Sequence, residues 1–227
     1  MLTMKVTWLG QAGLLFETDG MKIVVDPYLS NYCFKTNPAS DRRMPVDEKF
    51  LDLDVDVYAV THDHIDHLDP ETMPHYLSKD KSVVFLGPVS AWNIARKSGG
   101  NNNYVMFNRH TTWTQGKITF TAVKAEHSDL NAIGIIIDDG SKKYYVTGDT
   151  LYNEEVFTDL PDDIYAVFLP INGKGNNMNM ADAAKFAKRV NAKVTVPLHW
   201  GLFDSLNPDE FACKNKVIPE IYKEINL

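Results

Sequence analysis

The run Thr61-His62-Asp63-His64-Ile65-Asp66-His67-Leu68-Asp69 decides how this chain is read. Three of the seven histidines, together with Asp66, fall between positions 62 and 67. Imidazole nitrogens and carboxylate oxygens are the donors that hold zinc, manganese or iron. Just upstream, Val55, Val57, Tyr58, Ala59 and Val60 have the composition of a buried strand, with Asp54 and Asp56 at its polar start. Such a strand delivers Thr61 to a loop at its C-terminal end, where open sheets place ligands. His62 and His64 are two apart, so extended backbone sends both side chains to one side. Asp66 and His67 follow where the chain turns and point elsewhere, so one loop can feed two adjacent cation positions. Pro70, at the first position of the next helical pattern, predicts a helix over 70–78 capped by Asp69.

A solvated His-rich tract would bind metal only by accident, but such tracts lack interleaved aspartates and rarely follow a buried strand. A structural zinc site would draw on cysteine. Cys33 and Cys213 are far apart and far from the motif in sequence, and both read as incidental thiols, although the loop of Cys33 leads toward the site.

Composition narrows the function. The chain has 227 residues, is 44% hydrophobic and carries a net charge of −7. That charge argues against broad nucleic-acid binding, which needs basic surface to neutralise phosphates. An anionic substrate stays open, because bound dications would dominate the local field. No apolar run approaches the roughly 20 residues of a membrane span. The start, Met1-Leu2-Thr3-Met4-Lys5-Val6, has neither the basic nor the apolar region of a leader. A cytoplasmic protein without membrane association is expected.

Outward from the motif, strands are expected at 5–9, 12–18 and 21–26, with Asp19-Gly20 as a hairpin turn. Residues 28–50 form a long polar stretch of the kind that is more often functional than idle. After the motif come a strand at 82–86, a helix at 89–97, and strands near 104–107, 117–126, 132–138 and 142–148. A strand follows at 163–169, then a helix at 180–190 with Asn179 as cap and Asp182 as capping-box acid. Asn191 is a left-handed terminator, 193–197 is the last strand, and Pro208 onward reads as a terminal helix. No linker or repeat interrupts the pattern, so residues 1–227 are read as one domain. Two mixed sheets with helices on their outer faces suit this order.

Further donors sit at the ends of predicted strands: His127, Asp149 after Gly148, and His199. With these in place, the sequence resembles the metallo-β-lactamase-fold superfamily. His62, His64, Asp66 and His67 match its His-x-His-x-Asp-His motif. His127, Asp149 in Gly148-Asp149-Thr150, and His199 match its later ligand motifs, and Asp26 in Val25-Asp26-Pro27 matches its early aspartate. Thr7-Trp8-Leu9-Gly10-Gln11-Ala12-Gly13 and Met178-Asn179-Met180-Ala181-Asp182-Ala183 look like segments of the L-ascorbate-6-phosphate lactonase-like group. That lactonase is considerably longer, and its additional segments have no counterpart here.

The resemblance implies an α/β fold (α+β by some schemes), a four-layer αββα sandwich. It implies one or two divalent ions, zinc or manganese foremost and iron as an alternative. His62, His64 and His127 would form one position, Asp66, His67 and His199 the other, with Asp149 bridging. Asp26 would orient a ligand imidazole. The implied activity is metal-dependent hydrolysis of a small ester, lactone or phosphorylated sugar-like compound by a hydroxide formed on the metal, with Asp66 and Asp149 as catalytic carboxylates. A phosphodiesterase or nuclease on the same scaffold, or a non-catalytic metal-binding module, are the rival readings. Arg42, Arg43, Asn172 and Lys174 are candidates for substrate binding, anionic groups above all, with His110 a weaker one. The expected partner is a small molecule, and a homo-oligomer stays open.

Overall fold

The computed structural model describes residues 4–18, 20–78 and 80–227. Asp19 of the expected Asp19-Gly20 turn and the leading Met1-Leu2-Thr3 lie outside the described residues. The chain begins with an antiparallel meander of β1 (Lys5–Gly10), β2 (Gly13–Thr18) and β3 (Met21–Val25). A short helix, α1 (Tyr32–Thr36), lies within the long polar stretch. Strand β4 (Val57–Ala59) then pairs parallel to β3. It is followed by α2 (Met73–Leu77), β5 (Val84–Gly87), α3 (Val89–Ala95) and β6 (Asn103–Met106). Among the described residues these strands form one sheet in the order β1-β2-β3-β4-β5-β6.

The second sheet starts antiparallel, with β7 (Thr112–Gln115), β8 (Ile118–Lys124), β9 (Ile133–Asp138) and β10 (Lys143–Val146). It ends parallel, with β11 (Ile164–Pro170), α4 (Met180–Val190) and β12 (Val194–Leu198). Its order is β12-β11-β10-β9-β8-β7.

Alternation along the strands builds three apolar layers. Val57 and Ala59 face the space between the sheets, where they join Phe16, Phe120, Ile135 and Phe168. Tyr58 points the other way, onto Tyr76 of α2 and Ala91 and Ala95 of α3. Likewise Tyr144 and Val146 face the centre, while Tyr145 meets Phe186 of α4. Strands buried on both faces need near-continuous apolar runs, which is why these segments show little polar alternation. Helix α4 is covered only on one face, and its buried Ala183, Phe186, Ala187 and Val190 keep helical spacing. Each fully buried aromatic adds roughly 1.5–3 kcal/mol. The result is an αββα sandwich, as the sequence led us to expect.

Three local expectations are corrected. Helix α2 begins at Met73 and not at Pro70. Asp69 first makes a turn, accepting from the Glu71 N–H (3.0 Å) and the Thr72 hydroxyl, which delays the helix. Strand β7 was not foreseen, because its Thr-Trp-Thr-Gln sequence is an exposed edge with little apolar signal. The terminal helix is absent: beyond the 3₁₀ turn Pro208–Glu210 the tail runs along sheet edges. Val217 N–H donates to Thr195 O of β12 (2.9 Å), and Ile225 N–H donates to Val6 O of β1 (2.7 Å). The tail thereby satisfies one edge of each sheet, β1 and β12, which would otherwise present unpaired backbone groups. Among the described residues, no helix is long and apolar enough to cross a membrane.

Candidate metal centre

The loop after β4 turns tightly, with the His67 and Leu68 N–H groups both donating to the His64 carbonyl (3.0 and 2.8 Å). Residues 61–63 are bent rather than extended, contrary to the spacing argument, yet His62 and His64 still converge. His127 follows β8, Asp149 follows β10 and His199 follows β12. Three overlapping donor groups result: His62, His64 and His127; His62, His67 and Asp149; Asp66, His67 and His199. Within each group the ligand atoms lie within 4.8 Å of one another. His67 Nε2 and His199 Nε2 stand 3.2 and 3.3 Å from Asp149 Oδ1, and Asp149 also shares a donor group with His62, which puts it between the two ends of the cage.

The imidazoles are fixed from behind. Asp26 is fully buried and holds a left-handed backbone (φ 47°), uncommon for a residue other than glycine. Its Oδ2 accepts from His67 Nδ1 (2.8 Å) and from the Thr61 hydroxyl (2.6 Å), and its Oδ1 accepts from the Thr61 N–H (2.8 Å). Since the Thr61 hydroxyl donates to Asp26, it accepts from His62 Nδ1 (3.1 Å). One carboxylate therefore sets the tautomer of two histidines, turning both Nε2 lone pairs inward. His127 Nδ1 faces the Asn176 carbonyl at 3.2 Å, with the same consequence. Asn172 Nδ2 meets His199 Nδ1 at 2.8 Å. Asn177 Nδ2 donates to Asp149 Oδ2 (2.8 Å).

After these bonds are made, His62 Nε2, His67 Nε2 and Asp149 Oδ1 remain buried without hydrogen-bond partners. Orphaned polar atoms cost free energy unless something meets them. Here all three belong to one donor group, and a divalent cation satisfies such a set. The electrostatics agree. Burial, reinforced by His67, pushes the His62 imidazole well below its ordinary pKa, which keeps its lone pair available. Burial also opposes charging His67, but Asp149, Asp26 and Asp66 outweigh it and hold that imidazole well above its usual value. At His199 burial is again outweighed, chiefly by Asp149, and the pKa rises to about 9. Burial would raise the Asp149 pKa, yet His199 and His67 hold it well below the carboxylate range. The buried carboxylates make the pocket favour positive charge.

The cage opens into a cleft of about 420 Å³ whose lining includes Asp66, Asn172, Lys174, Cys33, Ile65 and Phe203. Lys174, between two glycines in left-handed backbone, is exposed at this opening. Arg42 and Arg43 are not part of the lining. The Arg42 guanidinium donates to the carbonyls of Tyr28 (2.8 Å) and Met44 (2.7 Å) and to the Tyr222 hydroxyl (2.5 Å), pinning the C-terminal tail. Arg43 is exposed. His110 pairs with Asp159 at 3.2 Å, outside the cleft lining. Cys33 is buried in the cleft wall, and burial pushes its thiol up to about 11, so it is no nucleophile at neutral pH. Sequence reasoning passed over Thr61, Gln11 and Asn177. Only the proximity of Thr61 to the motif, and of Gln11 to the resemblant N-terminal stretch, could have marked them.

The fold and the cage define a metallo-hydrolase type of protein, and comparison with known proteins agrees. Residues 21–200 match the family model for the beta-lactamase superfamily domain, and the chain belongs to that family. A UPF0173 protein of Pyrococcus furiosus is 29% identical over 209 residues, covering 92% of this chain and 89% of that one. A UPF0173 metal-dependent hydrolase of Bacillus thuringiensis is 27% identical over 226 residues, covering 94% and 93%. An N-acyl-phosphatidylethanolamine-hydrolyzing phospholipase D of Caenorhabditis elegans is 26% identical over 232 residues, covering 87% of this chain but 64% of its own length. A solved metallo hydrolase of Ignicoccus hospitalis shares the fold, with a TM-score of 0.76 at 21% identity and 97% of each chain covered. This chain is thus a member of the beta-lactamase superfamily, and homologues of it are named metal-dependent hydrolases.

Proposed function

We propose that the protein hydrolyses a small ester or lactone carrying an anionic group, such as a phosphorylated sugar-like compound. The observation that carries this reading is the convergence of seven donors, three of their atoms orphaned, at the floor of a cleft of about 420 Å³ with Lys174 at its opening. His62, His64 and His127 would hold one cation, Asp66, His67 and His199 a second, with Asp149 between them. Zinc or manganese suits this His/Asp set, and iron is compatible. Bound dications supply Lewis acidity, lowering the pKa of water toward about 7 and polarising the scissile oxygen.

The remaining steps belong to this chain. Asp66 Oδ2 is held by Gln11 (2.9 Å), and the carboxylate borders the cleft, so Oδ1 is the oxygen left to take a proton from attacking water and return it to the leaving oxygen. Asp149, whose carboxyl His199 and His67 hold well below the usual range, would supply the negative charge that offsets repulsion between the cations. Asn172 orients His199. Lys174 meets the anionic group, and Ile65 and Phe203 exclude water beside the reacting bond. No serine or cysteine nucleophile is needed.

A phosphodiesterase reading is second, favoured by the similarity to a phospholipase D and by the cation at the cleft mouth. Turnover of neutral and phosphorylated lactones, p-nitrophenyl acetate and bis(p-nitrophenyl) phosphate by zinc- or manganese-loaded protein separates the two. Lactone turnover abolished in His64→Ala is the expected result. Phosphodiester turnover with inert lactones would install the second reading, and unaltered turnover in His64→Ala would dismiss the site. Lys174→Ala should raise KM for the anionic lactone about tenfold and leave the neutral one alone, as loss of a charge-assisted hydrogen bond predicts.

A further inference from the structure

The stretch Thr7–Gly13, singled out in the sequence, contributes no cation donor, yet it reaches the centre through Gln11. This residue is 2% exposed and takes a left-handed backbone (φ 50°) between β1 and β2. A glycine would occupy that turn without strain, so the turn alone gives no reason for a buried amide. The carbonyl of Gln11 accepts from Trp8 Nε1 and from the His199 N–H, both at 3.0 Å. Its Nε2 donates to Asp66 Oδ2 (2.9 Å) and stands 3.1 and 3.2 Å from the two ring nitrogens of His199. Both Asp66 and His199 belong to one donor group, and His199 is itself left-handed (φ 60°).

Asp149 offers a parallel. One of its oxygens is tied by the amide of Asn177, and the other is left aimed into the cage. Gln11 likewise ties Asp66 through an amide, but at Oδ2, the oxygen that itself faces His199 Nε2 (3.3 Å) and His67 Nε2 (3.9 Å); Asp66 sits on a turn, borders the cleft and would otherwise rotate in contact with water. A neutral amide suits the place, because a further carboxylate beside Asp66 and Asp149 would add repulsion or draw a cation off its position.

We infer that Gln11 is a positioning residue for the Asp66/His67/His199 end of the centre, holding Asp66 and His199 in register without itself serving as a cation donor. This rests on the metal-centre reading above. Of the two amides beside His199, Asn172 makes no contact with Asp66, so Gln11 is the amide that spans the carboxylate and the imidazole, whose own atoms stand 3.3 Å apart (Oδ2 to Nε2).

The test is zinc binding to the full chain, followed by competition with a chromogenic chelator. The proteins compared are the wild type, Gln11→Gly and Gln11→Asn, each also in a His64→Ala background that leaves only the Asp66/His67/His199 position intact. Glycine and asparagine both accept left-handed backbone, so the turn survives while the amide is lost or falls short. In both variants, zinc affinity at the position that persists in the His64→Ala background should drop about 10–100-fold, the usual effect of losing a group that orients a ligand. The other transition should stay within about twofold, and the metal-free protein should lose no more stability than one buried hydrogen bond supplies, equally in both backgrounds. Two intact transitions in Gln11→Gly, or equal weakening of both, would overturn the inference while leaving the metal centre standing. Absence of zinc binding in the wild type would instead remove the metal-centre reading itself.

Discussion

The two halves of the molecule supply the cage in opposite ways. The first sheet delivers His62, His64, Asp66 and His67 from one loop after β4, while the second delivers His127, Asp149 and His199 singly from the ends of β8, β10 and β12. In the loop, local turns set the spacing and one buried carboxylate, Asp26, locks two rings from behind. In the second sheet, strand register does the positioning: Val146 pairs with Phe168, and Pro170 with Leu198, so the ends of β10, β11 and β12 are aligned. Local donors thus depend on a few hydrogen bonds, and dispersed donors depend on a whole sheet. The first kind should fail by single substitutions, and the second only when the sheet or its seam is disturbed.

Asp26→Ala attacks the local arrangement and should have the largest effect. It leaves the His67 Nδ1–H and the Thr61 N–H unmet in a site that is fully closed to solvent. Removing one partner of a buried charged pair costs about 3–5 kcal/mol. Urea unfolding should register that loss, and the protein should bind less zinc at both positions, since His62 serves one end and His67 the other. A variant with unchanged stability and full zinc content would show that the rings are held by the second sheet instead.

Gly148→Ala attacks the seam where the halves meet. Gly148 has φ 61°, and a Cβ there would lie 2.7 Å from Thr61 Cβ and 3.0 Å from the Ile133 carbonyl. Ile133 N–H already donates to Thr61 O at 3.0 Å, so the neighbours have little room to give. Overpacking and positive φ together should cost about 2–3 kcal/mol. Asp149 would shift with its neighbour, so zinc affinity should fall more than for any substitution of equal cost far from the seam. Equal stability loss with native zinc affinity would mean that the seam and the cage are independent.

The same contrast governs what could be read from the sequence. The loop donors were legible as residues, because His62, His64, Asp66 and His67 are adjacent in the chain. His127, Asp149 and His199 were weaker signals singly; they gained meaning from their shared place at the ends of apolar strands, and then from the order that the resemblance supplied. The β1–β3 meander and α4 with its Asn179 cap follow from local patterns, and Asn179 does accept from the Ala181 and Asp182 N–H groups. The tail beyond Phe211 was illegible, because its backbone bonds go to β12 and β1, many residues away in sequence. Gln11, Thr61 and Asn177 act through ordinary polar side chains whose role exists only once the sheets have met. Arg42 shows the converse: a cation in a promising loop spends its hydrogen bonds on Tyr28, Met44 and Tyr222.

Asp159 sharpens the comparison at its mildest point, because it holds the end of β8 from which His127 departs. Its carboxylate accepts from Arg109 Nε (2.7 Å) and Nη2 (2.8 Å) and from the Lys124 N–H (2.9 Å). The Arg109 guanidinium, aided by those bonds, holds the Asp159 carboxyl well below the usual carboxylate range. Because the folded value lies below the unfolded one of about 3.9, the carboxylate adds stability above that pH. That stability is lost as acid carries the pH down through the folded value. Arg109 is partly exposed, so water screens the pair and Asp159→Asn should cost only about 1 kcal/mol at pH 7. The gap between wild type and variant, measured as urea midpoints from pH 7 to 3, should narrow below about pH 4. Zinc binding should be preserved, since β8 stays paired to β9 along its length. A variant that loses zinc at the His62/His64/His127 position would show that a dispersed donor can hang on one local tether after all, and the distinction between the halves would no longer hold.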